Sequence, residues 1–381
     1  MKIAYVIESL ATTGGVERMI TEKANCFSEQ YGFEVSILVC NQTHNQPNSF
    51  HLSKSVKQIF LGISFSSQYK YKYPKRLWAK YILYRRIKDI ITENIQRLNP
   101  DVLLCVGHFE ANIICSIKCN AIRIIESHEP RFLTKSGLTL NQNCIIKAYN
   151  HLYRKLYFRT IEKKADAVVT LTEGDKKLWN RAKRVEVIPN FSTMPVHCIS
   201  TCTTKRIISI GRLSREKGFE RLIEAWGMVC HKYPDWHLDI YGEGNMYNSL
   251  MTLTKLYNVC NLSINNFSSN ISQEYSNSSI CAVTSIFEGF SLVILEAMRH
   301  GVPCIAFDCP FGPGSIINDS YNGFLINDGD IKMFADRLCR LIEDEKLRKQ
   351  FSISAIEKSK SFDVDTIINK WIDLFAEMTN K

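Results

Sequence analysis

The chain lacks several signatures that assign a protein quickly. Its 14 cysteines include no CxxC pair. They stand singly in apolar segments, as Cys105, Cys115, Cys230 and Cys281 do, which describes buried free thiols in a reducing compartment and argues against zinc. No GxGxxG run follows a strand, so a dehydrogenase-type dinucleotide site is not expected. No apolar stretch approaches the roughly 20 residues that span a bilayer. The opening MKIAYVIES has one lysine and a short apolar run ending at Glu8, which suits a buried strand better than a secretory signal. There is no repeat at a period of 20–50 residues. What is present is ordinary for a globular protein: 381 residues, 45% hydrophobic and 23% charged, enough for two domains and against bulk disorder.

Charge is unevenly placed. Residues 1–190 hold 29 Lys and Arg against 16 Asp and Glu, a balance of +13, so the net +10 of the chain belongs entirely to its first half. That asymmetry points to an anionic partner for the first half.

Short apolar runs alternate with amphipathic segments throughout, the pattern of parallel sheets covered on both faces. In the first half, strands are expected at Ile3–Ile7, Phe33–Cys40, Asp101–Val106, Ala121–Glu126, Ala167–Thr170 and Val185–Pro189. Helices are expected near Val16–Ser28 and Tyr81–Leu98, and residues 41–75 show no periodicity. The uncharged, Ser/Thr-rich stretch 191–204 reads as a linker. Beyond it, strands are expected at Arg206–Ile210, His237–Tyr241, Leu262–Asn265, Ser279–Thr284 and Pro303–Phe307. Helices are expected at Phe219–Cys230, Asp330–Glu343 and Val364–Met378. The fold class is α/β, two doubly wound units, in which ligands bind beyond the carboxyl ends of the strands.

Four loops at such ends carry suitable chemistry. In Glu288-Gly-Phe-Ser-Leu-Val-Ile-Leu-Glu296, Ser291 is a candidate N-cap for a helix Leu292–Arg299. Free backbone N–H groups at a helix start hold phosphate. Carboxylates on either side accept bonds from hydroxyls, and phosphate flanked by hydroxyls describes a sugar nucleotide. In Gly211-Arg-Leu-Ser-Arg-Glu-Lys-Gly218, Arg212 and Lys217 are candidates for a diphosphate; a solvated charged turn is the plain alternative. Thr13-Gly-Gly-Val16 lets backbone approach a ligand closely, a weak signal. Ile125-Glu-Ser-His-Glu-Pro130 offers His128, which could line a reaction centre or be structural.

Taken together, VIPN at 187–190, GRLSREKG at 211–218, YGEG at 241–244, FEGFSLVILEAM at 287–298, GVPCIAFD at 301–308, GP at 312–313 and NGFLI at 322–326 occur in the order seen in the retaining glycosyltransferases of family 4. The chain resembles that family over nearly its whole length. The resemblance implies a GT-B fold, two Rossmann-like domains facing across a cleft. They would be an acceptor-binding domain 1–190, a linker 191–204, a nucleotide-sugar domain 205–362, and a helix 363–381 packing back on the first domain. It also implies transfer of a hexose or N-acetylhexosamine from a nucleotide diphosphate donor, with UDP expected, to a glycan or lipid-linked acceptor hydroxyl. Arg212 and Lys217 would hold the diphosphate, Glu288 the donor sugar and Glu296 the ribose. Backbone at Phe290, Ser291, Leu292 and Val293 would bind donor oxygens, with Gly14, Gly15, Gly211 and Gly242 giving close approach and His128 lying near the sugar. No metal or cofactor is implied. The segment Phe311-Gly-Pro-Gly-Ser-Ile316 departs from the family pattern by its glycine where relatives often carry a bulkier residue, and SHEP at 127–130 is not the commonest histidine motif. Two alternatives remain: an epimerase or hydrolase of sugar nucleotides on the same fold, and a non-catalytic binding protein built on it.

Residues 69–88, YKYKYPKRLWAKYILYRRIK, interleave cations with Tyr and Trp, and a second such run covers 147–164. An anionic membrane surface is the favoured partner, ahead of single-stranded nucleic acid, which is not expected. The plain alternative is a solvated helix whose aromatics enter the core. The expected location is cytoplasmic, peripheral at the inner face of the plasma membrane.

Overall fold

Strands of three to six residues pair into two parallel sheets in the computed structural model. It describes residues 1–379 apart from 64–66, 68–69, 73–74, 108, 129–130, 132–143 and 269, and apart from the side chains of 77, 109, 144–151, 153 and 154. The chain divides into two compact units, Met1–Ile188 with Ile368–Lys381, and Pro189–Ile367.

The first unit holds β1 (Lys2–Ile7), β2 (Glu34–Val39), β3 (Lys57–Phe60), β4 (Val102–Val106), β5 (Ile122–Ser127), β6 (Ala167–Thr170) and β7 (Val185–Val187) in the order β3-β2-β1-β4-β5-β6-β7. All neighbours are parallel. Every residue of β4 and β6 is buried, as strands covered on both faces must be. Helix Lys75–Leu98 sets Ile87, Ile91 and Ile95, spaced by four, into the core beside Leu103 and Cys105. It begins six residues before the expected Tyr81, because its first turns are mostly exposed and carry no apolar stripe. The edge strand β3 lies inside the stretch expected to be irregular; its four residues are at most half-buried, too few and too polar to leave a pattern.

The second unit holds β8 (Arg206–Ile210), β9 (His237–Tyr241), β10 (Leu262–Asn265), β11 (Ile280–Val283), β12 (Cys304–Asp308) and β13 (Gly323–Asn327) in the order β10-β9-β8-β11-β12-β13, again parallel. Helix Phe219–Val229 buries Phe219, Leu222, Ile223, Trp226 and Val229, the face its sequence predicts. Helix Glu345–Ser359 carries no clear apolar stripe in its sequence because Arg348, Ser352 and Ser359 share its buried face with Phe351 and Ala355. The Arg348 guanidinium is satisfied there by the carbonyls of Cys202, Leu341 and Ile342.

Residues 191–204 form no helix or strand, yet they belong to the second unit and are pinned to it. Phe191 and Cys202 are buried, the Ser200 amide donates to the His300 carbonyl at 2.8 Å, and its hydroxyl donates to Ser278 O at 2.5 Å. The serines and threonines that read as a linker serve as local hydrogen-bond partners. Helix Val364–Thr379 belongs to the first unit from Ile368 onward. Its Phe375 packs edge-on against Phe27 at 5.4 Å, and Tyr31 donates to Asn369 Oδ1 at 2.9 Å.

Each sheet reverses its strand order once, between β1 and β4 and between β8 and β11. Such switch points open a crevice at the carboxyl ends of the strands, where ligands of doubly wound folds sit.

Candidate active site

At the second switch point, the loops that follow β8 and β11 are laced together. The Ile286 amide donates to Glu216 O at 2.8 Å, and Thr284 Oγ1 reaches Lys217 O at 3.4 Å. Gly218 has φ +61°, and a Cβ there would lie 2.2 Å from Thr284 O, so both its left-handed backbone and its neighbour require glycine. This lacing carries Lys217 to Glu288: Nζ and Oε1 are 2.7 Å apart. Ser285 donates to the same Oε1 at 2.8 Å, which leaves Glu288 Oε2 without a protein partner among the described residues. A Cβ on Gly211 would meet the Lys217 stem at 3.3 Å, so that glycine makes room for the lysine. Gly242 is explained by its neighbour, since a Cβ there would lie 1.8 Å from Gly211 O. Arg212 projects its side chain into solvent, and no partner holds its guanidinium among the described residues.

Three residues beyond Glu288 the chain enters helix Leu292–Arg299 with Ser291 as N-cap, and the serine makes no cap bond. Its Oγ is buried and has no hydrogen-bond partner among the described residues, a costly state unless a ligand supplies one. The Phe290 ring turns away, edge-on to Phe362 at 5.5 Å, so the backbone is what this residue presents. Glu296, one turn further on, is buried. Its Oε1 receives Ser192 Oγ at 3.4 Å and its Oε2 receives Tyr275 OH at 3.3 Å, both long bonds. Behind Glu288 runs the segment Phe311–Ile316. A Cβ on Gly312 would stand 2.4 Å from the Glu288 Cβ, and Phe311 beside it has φ +76°. A bulky residue in the left-handed region is strained, and such strain gathers at functional sites.

In the first unit, Gly14 is the N-cap of helix Gly15–Glu29 with extended backbone. A Cβ there would lie 2.1 Å from Glu17 Oε2, and Glu17 Oε1 accepts Thr12 Oγ1 at 2.6 Å. The Glu17 carboxylate thus folds over the glycine loop, which the sequence did not foretell. His128 is buried, with Nε2 2.9 Å from Glu126 Oε2. The same oxygen pairs with Lys23, which is buried and lies 4.6 Å below the centre of the Trp371 ring. Burial alone would raise the Glu126 acid; Lys23 and His128 outweigh it and hold it at about 2. Burial in turn lowers Lys23, against the pull of Glu126. Glu126 Oε1 has no partner among the described residues. Glu129 and Pro130 of the SHEP segment lie outside the described residues.

Helix Lys75–Leu98 turns Trp78, Tyr81 and Ile82 outward, 71%, 58% and 40% exposed, so these do not enter the core. Lys75, Arg85 and Arg86 are exposed on the same helix. Tyr69, Tyr73 and Pro74 of the basic-aromatic run, and the side chains of 147–151, 153 and 154 in the second run, lie outside the described residues. No described helix is long and apolar enough to cross a membrane. One cluster had no local sequence signal: Cys230, His231 and Cys260 converge from two separate elements, their ligand atoms within 4.8 Å of one another.

Two doubly wound parallel units, the second with a cation–carboxylate pair beside an uncapped helix start, define a GT-B protein. A solved structure of a variant of S. aureus TarM, in complex with fondaparinux, alpha-GlcNAc-glycerol and UDP, has this fold. It superposes with a TM-score of 0.77 over 98% of this chain and 99% of that one at 16% identity. The sequence profile of the family described as Glycosyl transferases group 1 matches residues 201–358. The amylovoran biosynthesis glycosyltransferase AmsD of Erwinia amylovora is 33% identical over 256 residues, 64% of this chain and 71% of that protein. An uncharacterized glycosyltransferase of Haemophilus influenzae is 28% identical over 381 residues, 97% of this chain and 98% of that protein. The chain belongs to the glycosyl transferases group 1 family, family 4, and is a glycosyltransferase.

Proposed function

We propose that the enzyme moves a hexose or N-acetylhexosamine, with retention, from a UDP-sugar to a hydroxyl of a lipid-linked glycan in the assembly of a bacterial surface polysaccharide. The observation that carries this reading is the Lys217–Glu288 contact beside the uncapped start of helix Leu292–Arg299, where Ser291 Oγ is buried without a partner among the described residues. A diphosphate suits the helix start and the two cations. Arg212 and Lys217 offset the charge that grows on the departing UDP, and in this reading they take the place of a divalent ion. Glu288 Oε2 accepts a hydroxyl of the transferred sugar. Glu296 takes the ribose, exchanging its long bonds to Ser192 and Tyr275 for shorter ones.

In the reaction, the bond from the anomeric carbon to the phosphate oxygen breaks and its electron pair leaves with UDP. The acceptor oxygen bonds the same face of the sugar, and its proton passes to the leaving phosphate. UDP in the TarM complex supports the nucleobase, and the AmsD resemblance supports the polysaccharide setting. The +13 balance of residues 1–190 and the exposed Trp78, Tyr81 and Ile82 support attachment to an anionic membrane surface on the cytoplasmic side. A thermal-shift and hydrolysis screen across UDP-, GDP- and ADP-sugars tests the donor, and a response confined to a GDP-sugar refutes UDP. On the donor so found, Glu288→Ala abolishes most turnover while Glu296→Ala chiefly weakens binding; unchanged turnover in Glu288→Ala overturns the site.

A further inference from the structure

Cys230 is the C-cap of helix Phe219–Val229, at the opposite end from the Arg212–Gly218 loop and about 18 Å from Gly218 at 1.5 Å per residue. Cys260 lies in the turn before β10, a turn whose Asn258 and Asn261 both adopt left-handed backbone. Two bonds fix that turn against the helix: Trp226 Nε1 donates to Cys260 O at 3.0 Å, and the Cys260 amide donates to Cys230 Sγ at 3.4 Å. His231 completes the group. Its Nε2 lies 2.9 Å from the Asn258 carbonyl, which can only accept, so Nε2 carries the proton and Nδ1 is left with its lone pair. That nitrogen faces Cys260 Sγ at 3.8 Å.

We propose that Cys230, His231 and Cys260 form a zinc site that clips helix Phe219–Val229 to the turn before β10. Tetrahedral zinc, with bonds of about 2.3 Å to sulfur and about 2.0 Å to nitrogen, needs sulfur and nitrogen about 3.6 Å apart and the two sulfurs about 3.8 Å apart. The observed 3.8 Å and the common 4.8 Å limit on all three atoms meet that need with small side-chain adjustments. Two sulfurs and an imidazole select a zinc-class ion over magnesium or calcium. The backbone carbonyl that orients His231 is the outer partner that metal-binding histidines ordinarily have, and an amide donating to Cys230 Sγ favours the thiolate. The helix carries no basic residue in its last turn, so its negative end is open to a cation. His231 is exposed, which leaves the fourth position to water. Binding exchanges two thiol protons, released to solvent, for one divalent ion.

Cobalt(II) titration of the reduced, metal-free full chain tests the site. Cys230 is fully buried, so the variants are Cys260→Ser and His231→Gln. The expected result is one cobalt per chain with thiolate charge-transfer and tetrahedral ligand-field bands, both lost in each variant. Zinc should raise the thermal midpoint of the wild type and leave the variants unmoved, while the metal-free midpoints of all three agree closely. Octahedral cobalt spectra in the wild type overturn the proposal, as do tetrahedral bands that survive in either variant.

Discussion

Gly312→Ala probes Glu288 without touching its charge. Gly312 has φ −83°, which alanine adopts freely, so the substitution carries no backbone penalty. The new Cβ would stand 2.4 Å from the Glu288 Cβ and 3.3 Å from its carbonyl oxygen. Two carbons pack at about 3.5–4.0 Å, so Glu288 must retreat by roughly 1–1.5 Å. Overpacking of this kind costs about 1–3 kcal/mol of stability. A misplacement of about 1 Å at a reacting centre costs on the order of a hundredfold in rate. With the donor identified, kcat and KM from UDP release and a thermal melt separate the two effects: kcat should fall about a hundredfold with KM little changed. A variant that melts earlier yet keeps kcat within about threefold of wild type, a barrier change under 1 kcal/mol, would refute the claim that the Gly312 contact sets the working position of Glu288.

Four further outcomes follow from other parts of the structure. Burial pushes Glu110 up to about 7 from 4.5; its folded form keeps a proton the unfolded chain has lost, so this contribution is complete below pH 4.5 and disappears as pH rises through 7. The shift corresponds to about 3 kcal/mol, and Glu110→Gln should remove that slope in urea unfolding between pH 5 and 8; an unchanged slope would sink the assignment. Lys23→Met strands the buried Glu126 carboxylate and should cost about 3–5 kcal/mol at pH 7, largely recovered in the double variant with Glu126→Gln. The Glu126 contribution itself, with the acid held near 2, should be full above pH 4.5 and fade as pH falls through 2. Binding to vesicles rich in phosphatidylserine should weaken with salt and with Trp78→Ser, and indifference to such vesicles at low salt would remove the membrane partner.

Much of the fold is legible in the sequence because parallel strands buried on both faces must be apolar runs, as VLLCV of β4 is. The loops Gly211–Gly218 and Glu288–Ser291 were legible because glycine, cations and a helix start share short spans. Other features arise from tertiary proximity. Lys23 reads as one more lysine on an amphipathic helix until β5 brings Glu126 to it. Gly312 reads as an ordinary turn residue until its missing Cβ is seen against Glu288. Cys230 and Cys260 read as isolated thiols because their meeting depends on the packing of Trp226. Helix Glu345–Ser359 hid behind a buried arginine, whose carbonyl partners no local pattern announces.

The discontinuity of the first unit has a consequence for synthesis. Pro189–Ile367 is contiguous and can fold as soon as it has cleared the ribosome, while Met1–Ile188 must wait for Trp371 and Phe375 to cover Lys23 and Phe27. The usual order, in which the amino-terminal domain folds first, is therefore inverted at its final step. For the time that about 180 intervening residues take to be made at roughly 5–20 per second, a sheet whose seven strands are already complete lacks the helix that covers Lys23 and Phe27. That interval is when chaperones and proteases have access to it, and a stop codon before Trp371 would make the interval permanent.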